Sequence, residues 1–195
     1  MASKSGKRRK DKVAKKSSSG RIVFAASIVI IVVVIVYVFA GPAAGNPADV
    51  GGTPPNFNLP VVTAEGLTSR TIELSSLRGR VVVLEFMVSW CKVCRAMAPS
   101  LVTLSDEYEQ SGVFFLSVAG TMGGASAEST TQFIKEYSEP WTHVLDTDNS
   151  VFTSYRIEAT PTYFIIDKDG KILSKFQGLI STEAFQTAID IALSG

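Results

Sequence analysis

Cysteine and histidine are scarce in this chain, which has two cysteines and one histidine among its 195 residues. Two cysteines cannot build a disulfide-rich scaffold, in which several bridges take the place of a large core. A structural zinc site needs four ligands, and the two cysteines and His143 supply only three. Glycine and proline, at 15 and 8 residues, are too few for a collagen-like or low-complexity chain. The composition therefore predicts a globular domain with an apolar core.

Net charge is also nearly absent, at +1 for the whole chain, but it is unevenly distributed. Residues 1–21 contain nine Lys or Arg and one Asp, so this segment carries +8 and the rest of the chain −7. Such a run is a tail, not a face of the folded part. Binding of nucleic acid by the tail is an alternative, but the tail has no aromatic residue and adjoins a long apolar run. We therefore expect no nucleic-acid partner.

That apolar run, residues 22–40, contains no charged side chain, and Ser27 is its only residue outside the apolar set. As a helix it would be about 28 Å long, close to the hydrocarbon thickness of a bilayer. A cleaved signal peptide is the alternative, but its apolar core normally has about 7–15 residues. The basic residues before the run favour an N-terminus kept in the cytoplasm. We predict a single-pass cell-membrane protein whose domain lies outside the cytoplasm.

The sequence after this run divides into a linker and one domain. Residues 41–55 hold four glycines and four prolines, which is typical of a linker without regular structure. The predicted organisation is a basic cytoplasmic tail (1–21), a transmembrane helix (22–40), a Gly/Pro-rich linker (41–55) and a domain (56–195).

Within the domain, strand and helix patterns alternate. Near-continuous apolar runs predict buried strands at residues 81–88, 113–119 and 162–166. Apolar residues at helical spacing predict helices at residues 92–110, 127–137 and 182–193. The sequence Asp-Lys-Asp-Gly at residues 167–170 predicts a hairpin turn. These patterns indicate an α/β fold with a mixed central sheet flanked by helices.

Both cysteines lie in the motif Trp90-Cys91-Lys92-Val93-Cys94, where a predicted buried strand gives way to a helix. Two cysteines three residues apart at a helix start can close a small disulfide ring, and the helix N-terminus stabilises a thiolate. Cys91, nearer the end of the helix, is predicted to be the exposed nucleophile, and Cys94 to resolve the mixed disulfide. A structural disulfide is the alternative, but so short a loop removes little chain entropy. The pair is predicted to be redox-active.

The motif, followed by Pro99 and later by Ala159-Thr160-Pro161-Thr162, closely resembles the active site of thioredoxins. Three further stretches resemble the membrane-anchored TlpA/ResA-like branch of the AhpC/TSA-related redoxins, at residues 55–57, 74–79 and 164–172. The resemblance covers roughly residues 51–193 and implies a thioredoxin fold with an N-terminal extension. It also implies substrate-binding roles for Trp90, Thr160 and Pro161, with Pro161 in the cis form and the Thr160 backbone pairing with an extended substrate.

Glu85 interrupts the apolar run 81–88, six residues before Cys91, where thioredoxins carry a buried acid. The neighbouring run 113–119 has no charge, so burial should raise the pKa of this carboxyl group. A carboxylate with a pKa near neutral could accept the proton of Cys94. An ion pair with a Lys or Arg is the structural alternative. Met97 stands where some relatives carry a glutamate, so the proton pathway of those relatives does not transfer directly.

These observations predict a membrane-tethered thiol–disulfide oxidoreductase with no cofactor, acting outside the cytoplasm on cysteine-containing exported proteins. A membrane or extracytoplasmic thiol donor or acceptor of electrons would recycle it. One alternative is a copper-handling protein with Cys91, Cys94 and His143 as ligands, although a partly buried, hydrogen-bonded histidine is the default expectation. A thiol peroxidase is another, but Leu84 and Val88 stand where that pattern requires Pro and Thr or Ser.

Overall fold

A computed structural model of the chain describes residues 30–32 and 48–195. The chain forms two compact units, Met1–Ala43 and Ala44–Gly195. In the first unit residues 30–32 are helical. The predicted tail lies outside the described residues, as do most of the predicted transmembrane helix and the first part of the predicted linker. Among the residues that are described, no helix is both long enough and apolar enough to cross a membrane.

The second unit is built on one seven-stranded mixed sheet. Its strands are β1 (Asn58–Thr63), β2 (Gly66–Glu73), β3 (Val82–Met87), β4 (Phe114–Gly120), β5 (Thr142–Asp146), β6 (Thr162–Ile166) and β7 (Ile172–Gln177). Its α-helices are α1 (Lys92–Tyr108), α2 (Ala127–Tyr137), α3 (Ser150–Ser154) and α4 (Thr182–Ser194). The strand order is β2-β1-β5-β4-β3-β6-β7, in which β3, β4 and β5 are parallel and the other pairs antiparallel.

The α/β class and the mixed sheet are therefore confirmed. The helix predicted to end at residue 110 ends at Tyr108. Residues 109–111 form a 3-10 turn, and Gly112 follows with a left-handed φ of 73°. Pro99 lies inside α1, and the helix continues beyond it. Strand β2 has no counterpart in the apolar runs, because most of its side chains are exposed and its sequence is polar. Strand β1 is short and contains two buried valines, Val61 and Val62.

The core lies on both faces of the sheet because successive side chains of β3 point to opposite sides. One face packs Val81 and Val83 against α1 and α4. The other packs Leu84 and Phe86 against residues of α2 and α3. Each fully buried Leu or Phe contributes about 1.5–3 kcal/mol to the stability of the domain. The alternation places Glu85, next to Leu84 in the chain, on the same face as Val83.

Candidate active site

The cysteines lie at the turn where β3 leads into α1. The Cys91 N–H donates to the Val88 carbonyl oxygen at 3.0 Å, which closes the turn. Cys91 is the N-cap of α1, and its Sγ accepts a hydrogen bond of 3.1 Å from the Cys94 N–H. The two cysteines form a disulfide with their Cα atoms 5.3 Å apart. A thiolate formed at Cys91 on reduction would therefore gain from the helix dipole and from a backbone donor.

Cys91 is much less exposed than predicted. The residue is only 5% exposed, against 1% for Cys94. Cys91 Sγ lies 3.3 Å from the Thr160 carbonyl oxygen, and the loop that carries Thr160 covers it on that side. Cys91 nevertheless lines an open groove, whereas Cys94 does not. The groove therefore gives access to the Cys91 sulfur, and the order of attack by the two cysteines stays a prediction.

The loop that faces Cys91 contains a cis peptide bond between Thr160 and Pro161, as the resemblance implies. Two hydrogen bonds fix this loop on the sheet. The Thr162 hydroxyl donates to the Ala159 carbonyl oxygen at 2.7 Å, and the Gly178 N–H donates to the Pro161 carbonyl oxygen at 2.9 Å. The loop that carries Thr160 therefore faces the cysteine pair and is held in place by hydrogen bonds.

Trp90 stands beside the cysteines with 53% of its surface exposed. Its indole Nε1–H donates to the Met122 carbonyl oxygen at 3.0 Å. Gly123 packs against the ring so closely that a Cβ there would lie 2.9 Å from it, and its φ of 62° is in the left-handed region. This turn fixes an exposed aromatic side chain at the site. Nothing in the sequence links residues 122–123 to Trp90, because the contact joins parts of the chain 32 residues apart.

A groove of about 500 Å³ lies beside Cys91, between the loop that carries Thr160 and the turn at Trp90 and Met122. Its lining is mainly apolar and includes Trp90, Val93, Met122 and Ile157, with the Cys91 sulfur and Thr160 at one side. Lys92 and Glu158 add one charge of each sign at the same groove. The groove can therefore hold an extended, largely apolar segment against Cys91.

Glu85 is buried, with 5% of its surface exposed, and accepts a hydrogen bond of 2.6 Å from the Ser117 hydroxyl. Burial raises the pKa of Glu85 to about 8, and the charge of Glu139 adds to the rise, while the Ser117 hydrogen bond opposes it. The predicted rise in pKa is thus found. The alternative of an ion pair is not found, since no Lys or Arg pairs with Glu85 in residues 48–195.

Sequence reasoning missed Ser117 and Glu139. Ser117 is placed by the register of β3 and β4, where it is the direct partner of Glu85, and a serine in an apolar run gives no local signal. Glu139 follows the end of α2 and bonds to His143 with 2.6 Å between Oε2 and Nε2. Glu139 and His143 are four residues apart, and this spacing is the signal in the sequence that could have linked them.

The structure does not support the copper alternative. His143 is 1% exposed, and both of its ring nitrogens already have partners, Glu139 and the Trp141 carbonyl oxygen. In the part of the chain that is described, no three Cys, His, Asp or Glu side chains lie close enough together to hold a metal ion. Cys91, Cys94 and His143 therefore do not form one site. The expected hydrogen bonding of His143 is confirmed, and its burial is more complete than expected.

Residues 50–175 match the family model of the AhpC/TSA family. The chain belongs to the AhpC/TSA family. Among curated members, the thiol-disulfide oxidoreductase ResA of a Bacillus cereus strain is 32% identical over 129 residues, which cover 66% of this chain and 70% of that protein. The thiol-disulfide oxidoreductase ResA of Bacillus subtilis (strain 168) is 29% identical over 145 residues, covering 74% and 76%.

Among solved structures, a Chlorobium tepidum protein assigned as a thiol:disulfide interchange protein DsbE superposes with a TM-score of 0.66 and 27% identity. The match covers 74% of this chain and 98% of that one. The fold of this AhpC/TSA-family chain is therefore thioredoxin-like. The Cys91–Cys94 disulfide lies at the start of α1, and the curated relatives are thiol–disulfide oxidoreductases. The chain is therefore a thiol–disulfide oxidoreductase.

Proposed function

We propose that this oxidoreductase is tethered to the cell membrane and acts outside the cytoplasm on cysteine pairs of exported proteins. The observation that carries the proposed exchange with protein clients is the placement of Cys91. Its sulfur lies at the start of α1, 3.3 Å from the Thr160 carbonyl oxygen, and it faces an open apolar groove. A client segment lying in that groove presents its own sulfur to Cys91.

The exchange takes place in two steps with Cys91 and Cys94 initially reduced. The Cys91 thiolate attacks one sulfur of the client disulfide, and the other client sulfur leaves as a thiolate that takes a proton. Cys94 then loses its proton to Glu85 and attacks Cys91, which forms the Cys91–Cys94 bond and releases the second client sulfur as a thiolate. Two electrons pass from the protein to the client, and the reverse sequence oxidises a client dithiol.

The surface around the groove favours protein clients over small thiols. Trp90, Met122 and Leu179 are exposed by 53%, 36% and 69%. Leu179 follows Gly178, whose N–H bonds to the Pro161 carbonyl oxygen, so all three lie on segments that form or support the site. Exposed apolar side chains grouped in this way are typical of a protein-binding surface.

Parallel rate measurements with two substrates distinguish disulfide exchange from the peroxidase alternative. The full-length chain, reduced and purified in detergent, is mixed in parallel with a peptide disulfide and with hydrogen peroxide. We expect the peptide disulfide to be reduced faster, because the groove holds an extended segment and Leu84 and Val88 are both apolar and buried. Cys91→Ala serves as the blank in both arms. Faster reaction with peroxide would contradict the proposal.

The proposed topology rests on the charge of +8 in residues 1–21 and on the uncharged run 22–40. Protease added to intact cells should remove the domain and leave a fragment that contains the basic tail. A cytoplasmic protein is the control for cell integrity. Complete protection of the chain in intact cells, with digestion after lysis, would contradict both the orientation and the exported clients.

A further inference from the structure

The turn between β5 and α3 contains Asn149, whose backbone is left-handed with φ of 57°. Asparagine is one of the few residues besides glycine that adopts this conformation readily. The Thr121 N–H donates to Asn149 Oδ1 at 2.9 Å, and Asn149 Nδ2 donates to the Thr121 hydroxyl oxygen at 3.1 Å. A backbone N–H can only donate, so the orientation of the Asn149 amide is fixed. Asn149 therefore holds Thr121, the residue after β4, at two points.

Thr121 leads directly into the 3-10 turn Met122–Gly124, which we name the Met122 turn. The Trp90 indole N–H donates to the first carbonyl oxygen of this turn at 3.0 Å. The second residue of the turn packs against the Trp90 ring. A continuous set of contacts thus runs from Asn149 through Thr121 and the Met122 turn to Trp90, which immediately precedes Cys91.

The same part of the chain also fixes two apolar residues on the α3 side of the groove. Asp146, the last residue of β5, accepts a hydrogen bond of 2.9 Å at Oδ2 from the Phe152 N–H. The Phe152 carbonyl oxygen accepts one of 3.0 Å from the Ile157 N–H, and both residues line the groove. A Cβ at Gly120 would lie 2.9 Å from the Phe152 ring and 3.1 Å from Asn149 Oδ1. Asn149 and Phe152 therefore meet over the end of β4.

We propose that Asn149 is a positioning residue for client binding, which holds Trp90 and the Met122 turn at the spacing from Phe152 that an extended client segment needs. Asn149 lies outside the lining of the groove and acts through Thr121. It therefore affects how tightly a peptide is held beside Cys91, and not the exchange between sulfur atoms. The inference rests on the proposed function, because the groove is the surface on which protein clients are proposed to bind.

The test compares a peptide disulfide with apolar residues beside its cysteine and bis(2-hydroxyethyl) disulfide, which is too small to fill the groove. Formation of the mixed disulfide by the reduced full-length chain is measured at increasing concentrations of each. Asn149→Gly removes the amide and keeps the left-handed backbone, which glycine adopts freely. The peptide concentration that gives half the maximal rate should rise at least about fivefold, because both hydrogen bonds to Thr121 are lost. The maximal rate with the peptide and the rate with the small disulfide should each change by less than about twofold.

Ser138→Gly is the matched control, because Ser138 also has a left-handed backbone, with φ of 53°, and lies at the end of α2 outside the groove lining. It should leave the reaction with both disulfides unchanged. Thr121→Val removes only the hydroxyl end of the contact and should raise the half-maximal peptide concentration by a smaller factor than Asn149→Gly does. In the double variant the two factors should not multiply, because both substitutions remove a shared contact.

The indole N–H groups of the two tryptophans give a second readout in ¹H–¹⁵N NMR spectra of the full-length chain, and Trp90→Phe identifies the Trp90 signal. In Asn149→Gly the Trp90 indole proton should exchange with water faster, since the Met122 turn that accepts it is no longer held. The Trp141 indole N–H donates to Ser117 and should keep its signal. A general loss of structure would change both signals.

An unchanged half-maximal peptide concentration in Asn149→Gly would overturn the inference. An equal loss of rate with both disulfides would also overturn it, because Asn149 would then have a structural role only. Thr121→Val decides the question by the same two readouts if Asn149→Gly does not fold. These results leave the proposed function intact, since exchange of the wild-type chain with the peptide is measured in the same experiment. Failure of the wild-type chain to exchange with the peptide would instead overturn the proposed function, and the inference with it.

Discussion

Cys94→Ser is expected to accumulate a covalent complex in which Cys91 is joined by a disulfide to its client. The first step of the exchange needs only Cys91, whereas release of the client needs the Cys94 sulfur. Cys94 is 1% exposed, so no external thiol can easily take its place. More than about half of the reduced protein should be trapped with an excess of peptide disulfide, as seen on non-reducing gels and by mass spectrometry.

Cys91→Ser is the matched control, since it makes the same change of sulfur to oxygen three residues away. It should trap at least about tenfold less client, because the remaining Cys94 sulfur is shielded from the groove. The trapped complex should also depend on the groove, so that a peptide with charged side chains beside its cysteine is captured more slowly. Equal trapping by the two variants would contradict the assignment of Cys91 as the attacking sulfur.

Glu85→Gln is expected to slow resolution of the mixed disulfide while leaving the first attack by Cys91 near its wild-type rate. Glutamine fills the same space and can still accept the Ser117 hydrogen bond, but it cannot take a proton. Loss of a general base typically costs about 100-fold or more in the step that it serves. Single-turnover kinetics across pH measure both steps. Identical profiles for both steps in variant and wild type would make Glu85 a structural residue only.

The same substitution should raise stability at high pH. Burial raises the pKa of Glu85 to about 8 from an ordinary value of 4.5, so the folded chain holds this proton more tightly than the unfolded chain. Its contribution to stability is fully present below about pH 4.5 and is lost as the pH rises through about 8. Glu85→Gln avoids that loss. We compare the stability difference between variant and wild type at two pH values. At pH 9 this difference should favour the variant by on the order of 5 kcal/mol more than it does at pH 4.5.

Urea unfolding of the oxidised full-length chain at the two pH values gives this comparison. Glu65→Gln, which changes an exposed acid in the turn between β1 and β2, is the control and should show almost no difference between them. A stability difference for Glu85→Gln that does not change with pH would show that the folded and unfolded states bind this proton equally. It would also remove the physical basis for the role of Glu85 as a proton acceptor.

The sequence predicted the parts of this molecule that depend on local pattern. The three central strands follow from apolar runs, and the position of the cysteines at a helix start follows from the motif that contains them. The cis bond before Pro161 came from the resemblance to thioredoxins, and the structure contains it. Strand β2 was missed because an edge strand with exposed side chains carries no apolar run.

The parts that were not predicted depend on contacts between distant residues. Ser117 becomes the partner of Glu85 only through the register of β3 and β4, and the charge of Glu139 raises the pKa of Glu85 from a distant part of the chain. The small exposure of Cys91 likewise depends on Thr160, which is 69 residues further along the chain. Periodicity and spacing report on neighbours in sequence, so they could not reveal these contacts.

The hairpin of β1 and β2 has a further consequence for the borders of the sheet. It covers β5, so the strand left at that side of the sheet is β2, whose exposed residues include Arg70 and Glu73. The opposite edge, β7, exposes Lys175. Charged edge strands resist the addition of a further extended chain, which is the first step of aggregation. Another extended chain is thereby discouraged from pairing with the borders of the sheet, away from the groove beside Thr160.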